Sequence, residues 1–276
     1  MDFLDKIQKL DRRIIFVFTA LAVIVPLLFK SGIRVPVTNE VKSFYNQIAA
    51  IPPGEKILVS FDYDPQTKPE CHPMAYALME QAFRQNLKVV VMALWPTGAS
   101  LAEEVLKKTS KKYEKTYGID YVFLGYKTGG TVVIQKLCSS FEDVFPQDNY
   151  GKPISEFPLM RDIKSIKDVK AVVSLSSGFP GIKEWIMLGN AQTGVPVGGG
   201  CTAVSAPEFY PYLNSGQCFG LLGGMKGAAE YETLVGIKGL AVSGMMAQSV
   251  VHLLIIIFII LANVGYFYTK FKRSRK

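Results

Sequence analysis

The stretch ILVSFDYDP, residues 57–65, sets the fold. A short apolar run that ends in an Asp- and Pro-containing turn reads as a buried strand. The same unit recurs along the chain. Residues 73–84 are helical in pattern, and KVVVMAL at 88–94 is a second strand closed by Pro96. A helix over 100–113 turns Leu101, Val105 and Leu106 inward and Lys107, Lys108, Lys111 and Lys112 outward. A strand at 120–124, a helix over 131–144 carrying Ile134, Leu137, Cys138 and Phe141 on one face, and a strand at 170–175 follow. A fifth strand near 195–197 runs into Gly198-Gly199-Gly200, read as a turn, and a helix over 207–213 leads to a sixth strand at 217–221. Ahead of the first strand, Val41, Phe44, Ile48 and Ile51 share one helical face, which Pro52-Pro53-Gly54 stops.

Apolar strands alternating with amphipathic helices imply an α/β fold with a mostly parallel, doubly wound sheet, Rossmann-like or flavodoxin-like. Strand order stays open at this level, because several doubly wound orders share the pattern. The irregular stretch 145–157, rich in Pro, Asp, Asn and Gly, is either a flap over a site or a surface excursion packed on the sheet.

Two apolar segments flank this domain. Residues 14–29 are uncharged between Arg13 and Lys30, and no charged residue stands between Lys238 and Lys270. The expected plan is a tip at 1–13, a membrane helix at 14–33, a domain at 34–238, a second membrane helix at 239–268 and a basic tail at 269–276. A cleaved signal peptide is the rival reading of the first segment, but no small-residue cleavage site follows it. Residues 31–245 hold 21 basic and 20 acidic residues, so seven of the eight net positive charges belong to the flanks. By the positive-inside rule both ends lie in the cytosol and the domain outside it, in a plasma (inner) membrane. The same distribution removes the argument for a nucleic-acid partner.

Candidate chemistry collects at the carboxyl ends of the strands. Asp62 and Asp64 have the i, i+2 spacing of a hard-cation or phosphoryl-transfer pair, although Gln66 stands where the aspartyl-phosphate motif of haloacid-dehalogenase-like phosphatases has Thr or Val. Their other reading is a turn and helix cap. Gly129 and Gly130, Ser177, and Gly199 and Gly200 lie in turns able to offer backbone N–H groups to a ligand. Cys201 is a conceivable nucleophile with His72 as base, or a disulfide partner of Cys218. No spacing indicates a metal site, and no motif indicates a cofactor.

The approach to the second anchor is rich in glycine. Gly220 with Gly224 and Gly223 with Gly227 have the small-xxx-small spacing that allows close helix contact, or else Gly220–Gly224 form a turn closing the domain. Gln248, His252 and Asn263 inside the span imply a membrane-protein partner or self-association through this helix, besides the lipid bilayer itself. The functional expectation is a non-catalytic binding or scaffold subunit. Its rival is a membrane-tethered enzyme acting on a phosphorylated, lipid-linked or cell-envelope substrate.

Overall fold

The computed structural model describes residues 11–28 and 35–274. They form two compact units: one of the terminal segments, within Met1–Ile33 and Val242–Lys276, and one running from Arg34 to Ala241.

In the second unit α2 (Asn39–Ala49) precedes β1 (Lys56–Asp62), α3 (Lys68–Arg84), β2 (Lys88–Ala93), α4 (Pro96–Lys112), β3 (Tyr121–Tyr126) and α5 (Thr131–Leu137). After an irregular crossing come β4 (Ala171–Ser176), a helical stretch at 182–193 built around the π-helix Trp185–Asn190, β5 (Val197–Cys201), α6 (Ala206–Asn214), β6 (Cys218–Gly223) and α7 (Gly224–Val235). The six strands are all parallel in the order β3-β2-β1-β4-β5-β6. This is the Rossmann-like order, with its reversal between β1 and β4, and not the flavodoxin-like one. Helices α2, α3, α4 and α7 cover one face, while α5, the π-helix and α6 cover the other.

The fifth strand corrects the sequence reading. Gly198, Gly199 and Gly200 are strand residues, paired with Val173, Ser174 and Leu175 of β4. They are glycines because neighbours press on both faces of the sheet. The Phe219 ring lies where a side chain at 198 would stand, Ile182 and the Ser174 carbonyl crowd position 199, and Met74 of α3 and Leu175 crowd position 200. The helix expected over 131–144 is shorter, since α5 ends at Leu137.

Both sheet edges are covered, as unpaired strand edges require. On β6, Ser43 Oγ donates to the Phe219 carbonyl and the α2 backbone at Phe44 sits directly over Gly220. On β3, the Asn149 N–H donates to the Phe123 carbonyl at 2.9 Å, so the 145–157 stretch packs along the sheet edge. Asp148 stiffens that stretch by accepting from Tyr117 Oη at 2.6 Å and from the amides of Tyr150 and Lys152 at 2.9 and 2.8 Å.

The glycine-rich approach is accounted for inside the domain. Gly220 is a strand residue, Gly224 opens α7 with φ +62°, and Gly227 packs on the Leu222 backbone, so the three do not share a helix face. Gly236 closes α7 in the left-handed region at φ 74°. Gly239 lies against the Glu232 carboxylate, which leaves no room for a side chain there.

Helix α7 also carries three consecutive fully buried side chains. Glu230 accepts from both the amide and the hydroxyl of Thr38, at 2.8 and 2.7 Å, and so holds the start of α2. Tyr231 Oη donates to Gln81 Oε1, whose amide donates in turn to the Tyr45 carbonyl. Glu232 accepts from the Ala241 amide at 3.1 Å, at the head of the last helix.

The terminal segments contain α1 (Arg12–Leu28) and α8 (Leu240–Ser274). Among the described residues one helix is long and apolar enough to cross a membrane, Leu240–Phe271, and only 6% of its most apolar window is buried. Helix α1 has 17 residues, and the remainder of the expected first span, 29–33, lies outside the described residues, as do 1–10 of the tip and 275–276 of the tail.

A methyl group added at Gly199 has nowhere to go. Gly199→Ala is expected to destabilise the domain by about 1–3 kcal/mol through overpacking, read as a lowered urea midpoint with an unchanged m-value; an unchanged midpoint contradicts this account of β5.

Candidate functional site

Parallel neighbours in register present their side chains to the same face. Asp62 pairs with Ser176, and Ser176 with Cys201, so these three residues form one row across the carboxyl ends of β1, β4 and β5. A second row beneath it carries Ser60 and Ser174. Both rows face the π-helix, and their position at the strand-order reversal is where open α/β sheets gather ligands.

Asp62 is fully buried here. Its Oδ1 accepts from the Leu94 amide and its Oδ2 from Ser60 Oγ, each at 2.6 Å. Burial raises its pKa from 3.8 to about 7, against the opposing effect of these donors and of the nearby Trp185 indole and Ser174 hydroxyl. Those last two groups face the carboxyl but make no well-formed hydrogen bond, and Ser177 Oγ is likewise buried without a partner.

The loops above this row close over it. Trp95, after β2, donates its indole N–H to the Pro180 carbonyl of the loop after β4, at 3.3 Å, and its ring packs against Gly178. Gly130, ahead of α5, stands beside Pro180 as well. The Ser177 amide donates to the Asp62 carbonyl at 3.1 Å. Loops from β2, β3 and β4 therefore meet at one proline over the end of β1. Beside them a cleft of about 220 Å³ remains, with Ser176, Ile182, Cys201, Ser205 and Phe209 in its wall and the Lys183–Glu208 ion pair at 3.3 Å among its lining.

The remaining candidates disperse. Asp64 turns away from Asp62, and its Oδ1 accepts from the amides of Gln66 and Thr67 at 2.9 and 3.0 Å, a turn that leads into α3. The two carboxylates do not converge on a common ligand, and no cluster of three metal-ligating side chains occurs among the described residues. Cys201 and His72 sit on opposite faces of the sheet: Gly200 faces Met74 of α3, so its neighbour Cys201 faces away from the helix that carries His72. Burial also pushes the Cys201 thiol up to about 12, the reverse of what a nucleophile needs. All four cysteines are free. A Cys201–Cys218 bridge is excluded by register, because Cys201 pairs with Gly223 while Cys218 pairs with Val197. Four residues of strand separate them by roughly 13 Å, whereas bridged Cα atoms lie within about 7 Å.

His72 belongs to a separate group between α3 and α4. Its Nδ1 shares a hydrogen with Tyr63 Oη at 2.8 Å, and its Nε2 lies 3.6 Å from Glu104, which also binds Lys68 at 2.6 Å and Lys108 at 2.9 Å. Burial, then the Lys68 charge, lowers the His72 pKa to about 4. The lysine partners hold Glu104 down at about 2.

On α8, Gln248, His252 and Asn263 are all exposed. Asn263 satisfies one amide hydrogen within its own helix, donating to the Ile259 carbonyl at 2.8 Å. What sequence reasoning missed at the site is Pro180 and Trp185. Pro96 marked the turn after β2, but nothing local showed that Trp95 beside it would touch the loop after β4.

Two buried groups titrate in overlapping windows with opposite sign. Asp62 is raised, so the native state holds a proton that the unfolded chain has lost, and its contribution falls as pH rises from about 4 to about 7. His72 is lowered, so the unfolded chain binds the extra proton, and its contribution falls as pH drops from about 6.5 to about 4. The wild-type stability profile is therefore expected to be nearly flat across this window. Asp62→Asn should make stability rise with pH and His72→Gln should make it fall, as measured by denaturation at each pH; parallel profiles for the two variants contradict the assignment. No family model, no curated protein and no solved structure matches the chain.

Proposed function

We propose that the chain is a two-anchor membrane protein that presents its α/β domain outside the cytosol as a non-catalytic binding or scaffold subunit of a membrane assembly. The observation that carries this reading is the carboxyl edge of the sheet. There the loops after β2, β3 and β4 meet over Asp62 at Pro180, and the one row of reactive side chains is turned into the protein. The flanks supply the second argument. Leu253, Ile256, Ile259, Ile260 and Val264 are exposed along α8, and Phe16, Val17 and Leu28 along α1, as lipid-facing positions are. Gln248 and His252, one turn apart on α8, are polar groups suited to another membrane helix. In this proposal the partner is a second copy or a different membrane subunit, with both termini in the cytosol and no cofactor required.

The enzyme reading keeps one specific support. The cleft beside Asp62 offers Ser176, next to a carboxyl that titrates near neutrality, to a small polar substrate.

Extraction of the full chain from its native membrane with the surrounding lipid distinguishes the two. The scaffold reading expects co-purification in a stable stoichiometric complex, at least tenfold depleted by Gln248→Leu with His252→Leu and unchanged by Ser176→Ala. A wild-type chain recovered alone as a monomer sinks the scaffold reading. A cellular phenotype lost in Ser176→Ala with the complex intact favours the enzyme.

A further inference from the structure

Around Asp62 the structure gathers more hydrogen-bond donors than it uses. Ser60 Oγ and the Leu94 amide already donate to the carboxyl. Trp185 Nε1 and Ser174 Oγ, both fully buried, face the same group without a partner. A buried donor with no acceptor is costly, so two such donors aimed at one carboxyl are placed for its charged state. A neutral carboxyl can hand its proton to Ser174 Oγ, but it is a much weaker acceptor for the indole N–H than the carboxylate is. A carboxylate can accept from all four groups.

We propose that Asp62 is a proton-operated latch for the π-helix: its carboxylate draws in the Trp185 indole, and its neutral form lets the indole go. The position of Trp185 gives the latch its reach. It is the first residue of the π-helix, its ring packs on Gly189 one turn on, and it follows directly from the segment Ile182–Glu184. Ile182 lines the cleft beside the row, and its amide donates to Ser176 Oγ at 3.4 Å. A short π-helix inside a helical stretch is a common place for functional rearrangement. The latch therefore sets the wall of the cleft, and it rests on no assumption about what the cleft binds.

Among the described residues no ionisable group competes for control of Asp62. The groups that face it are Ser60 from β1, the Leu94 amide from the end of β2, Ser174 from β4 and Trp185 from the π-helix. Lys183 is engaged with Glu208, Glu184 accepts from the Gly181 amide, and His72 belongs to the opposite face of the sheet. Burial brings the carboxyl to about 7, so both states of the latch are populated around neutrality.

The chain has two tryptophans, so Trp95→Phe leaves Trp185 as the sole indole reporter. In the full-length protein in lipid nanodiscs, its fluorescence is expected to follow a single titration with a midpoint near pH 7, and adding Asp62→Asn should abolish it. Emission that does not change between pH 5 and 9, or that still titrates once Asp62→Asn is added, overturns the proposal. Should that variant fail to fold, the carboxyl carbon shift of Asp62 in isotope-labelled protein decides. Trp185→Phe removes a donor to the carboxylate and should move that midpoint upward by about one pH unit, whereas an unmoved midpoint overturns the latch.

Discussion

Two buried carboxylates on one helix fix where the α/β domain begins and ends. Glu230 takes both hydrogens of Thr38 at the start of α2, and Glu232 takes the amide of Ala241 at the head of the long apolar helix. Consecutive helical residues point about 100° apart, so burying 230, 231 and 232 together requires α7 to be enclosed on most of its circumference. It is enclosed by α2, α3, β6 and the turn at Gly236–Gly239. Hydrogen bonds to charged groups contribute about 1.5–3 kcal/mol each, and Lys226 supports Glu230 from one turn before, at 3.2 Å. The constraint ties residue 38 to residue 241 through a single rigid element.

From that constraint the rest of the domain follows. With α2 pinned at Thr38, its Phe44 backbone lies on Gly220 and Ser43 covers the β6 edge. With α7 and α3 joined through Tyr231 and Gln81, and Arg84 donating to the Val235 carbonyl at 2.6 Å, the helices of one face form a continuous layer. The opposite face carries the polar rows and the π-helix. Both faces of the sheet are thus held by apolar packing, and the face beneath α5, the π-helix and α6 also buries the hydrogen-bonded carboxyl of Asp62.

The strand and helix alternation was legible because buried parallel strands are continuous apolar runs, and ILVSF and KVVVMAL are such runs. The fifth strand was not, because Gly198–Gly200 reads locally as a turn. The residues that require glycine there, Phe219, Ile182 and Met74, come from distant parts of the chain. The stretch 182–193 was assigned to no element, and the π-helix it contains departs from the usual 3.6-residue repeat. Asp62 and Asp64 were recognisable as a pair but not as a divergent one. Strand geometry sends the first inward under Leu94, while the turn sends the second onto its own backbone. Glu230 and Glu232 gave no signal of burial, since the groups they hold at Thr38 and Ala241 lie on other elements. The glycines of the junction were visible and Gly220 fell within the expected sixth strand, but the α2 backbone that lies on it comes from a distant part of the chain.

Amide hydrogen exchange of the full chain in lipid tests the constraint most directly. The account predicts that Thr38 and Ala241 are both protected in the wild type. In the Glu230→Gln, Glu232→Gln double variant both should exchange at least about tenfold faster, while Leu58 and Val59 of β1 keep their protection. Unchanged exchange at Thr38 and Ala241 in that variant would show that the domain is held at its two ends by something other than these carboxylates.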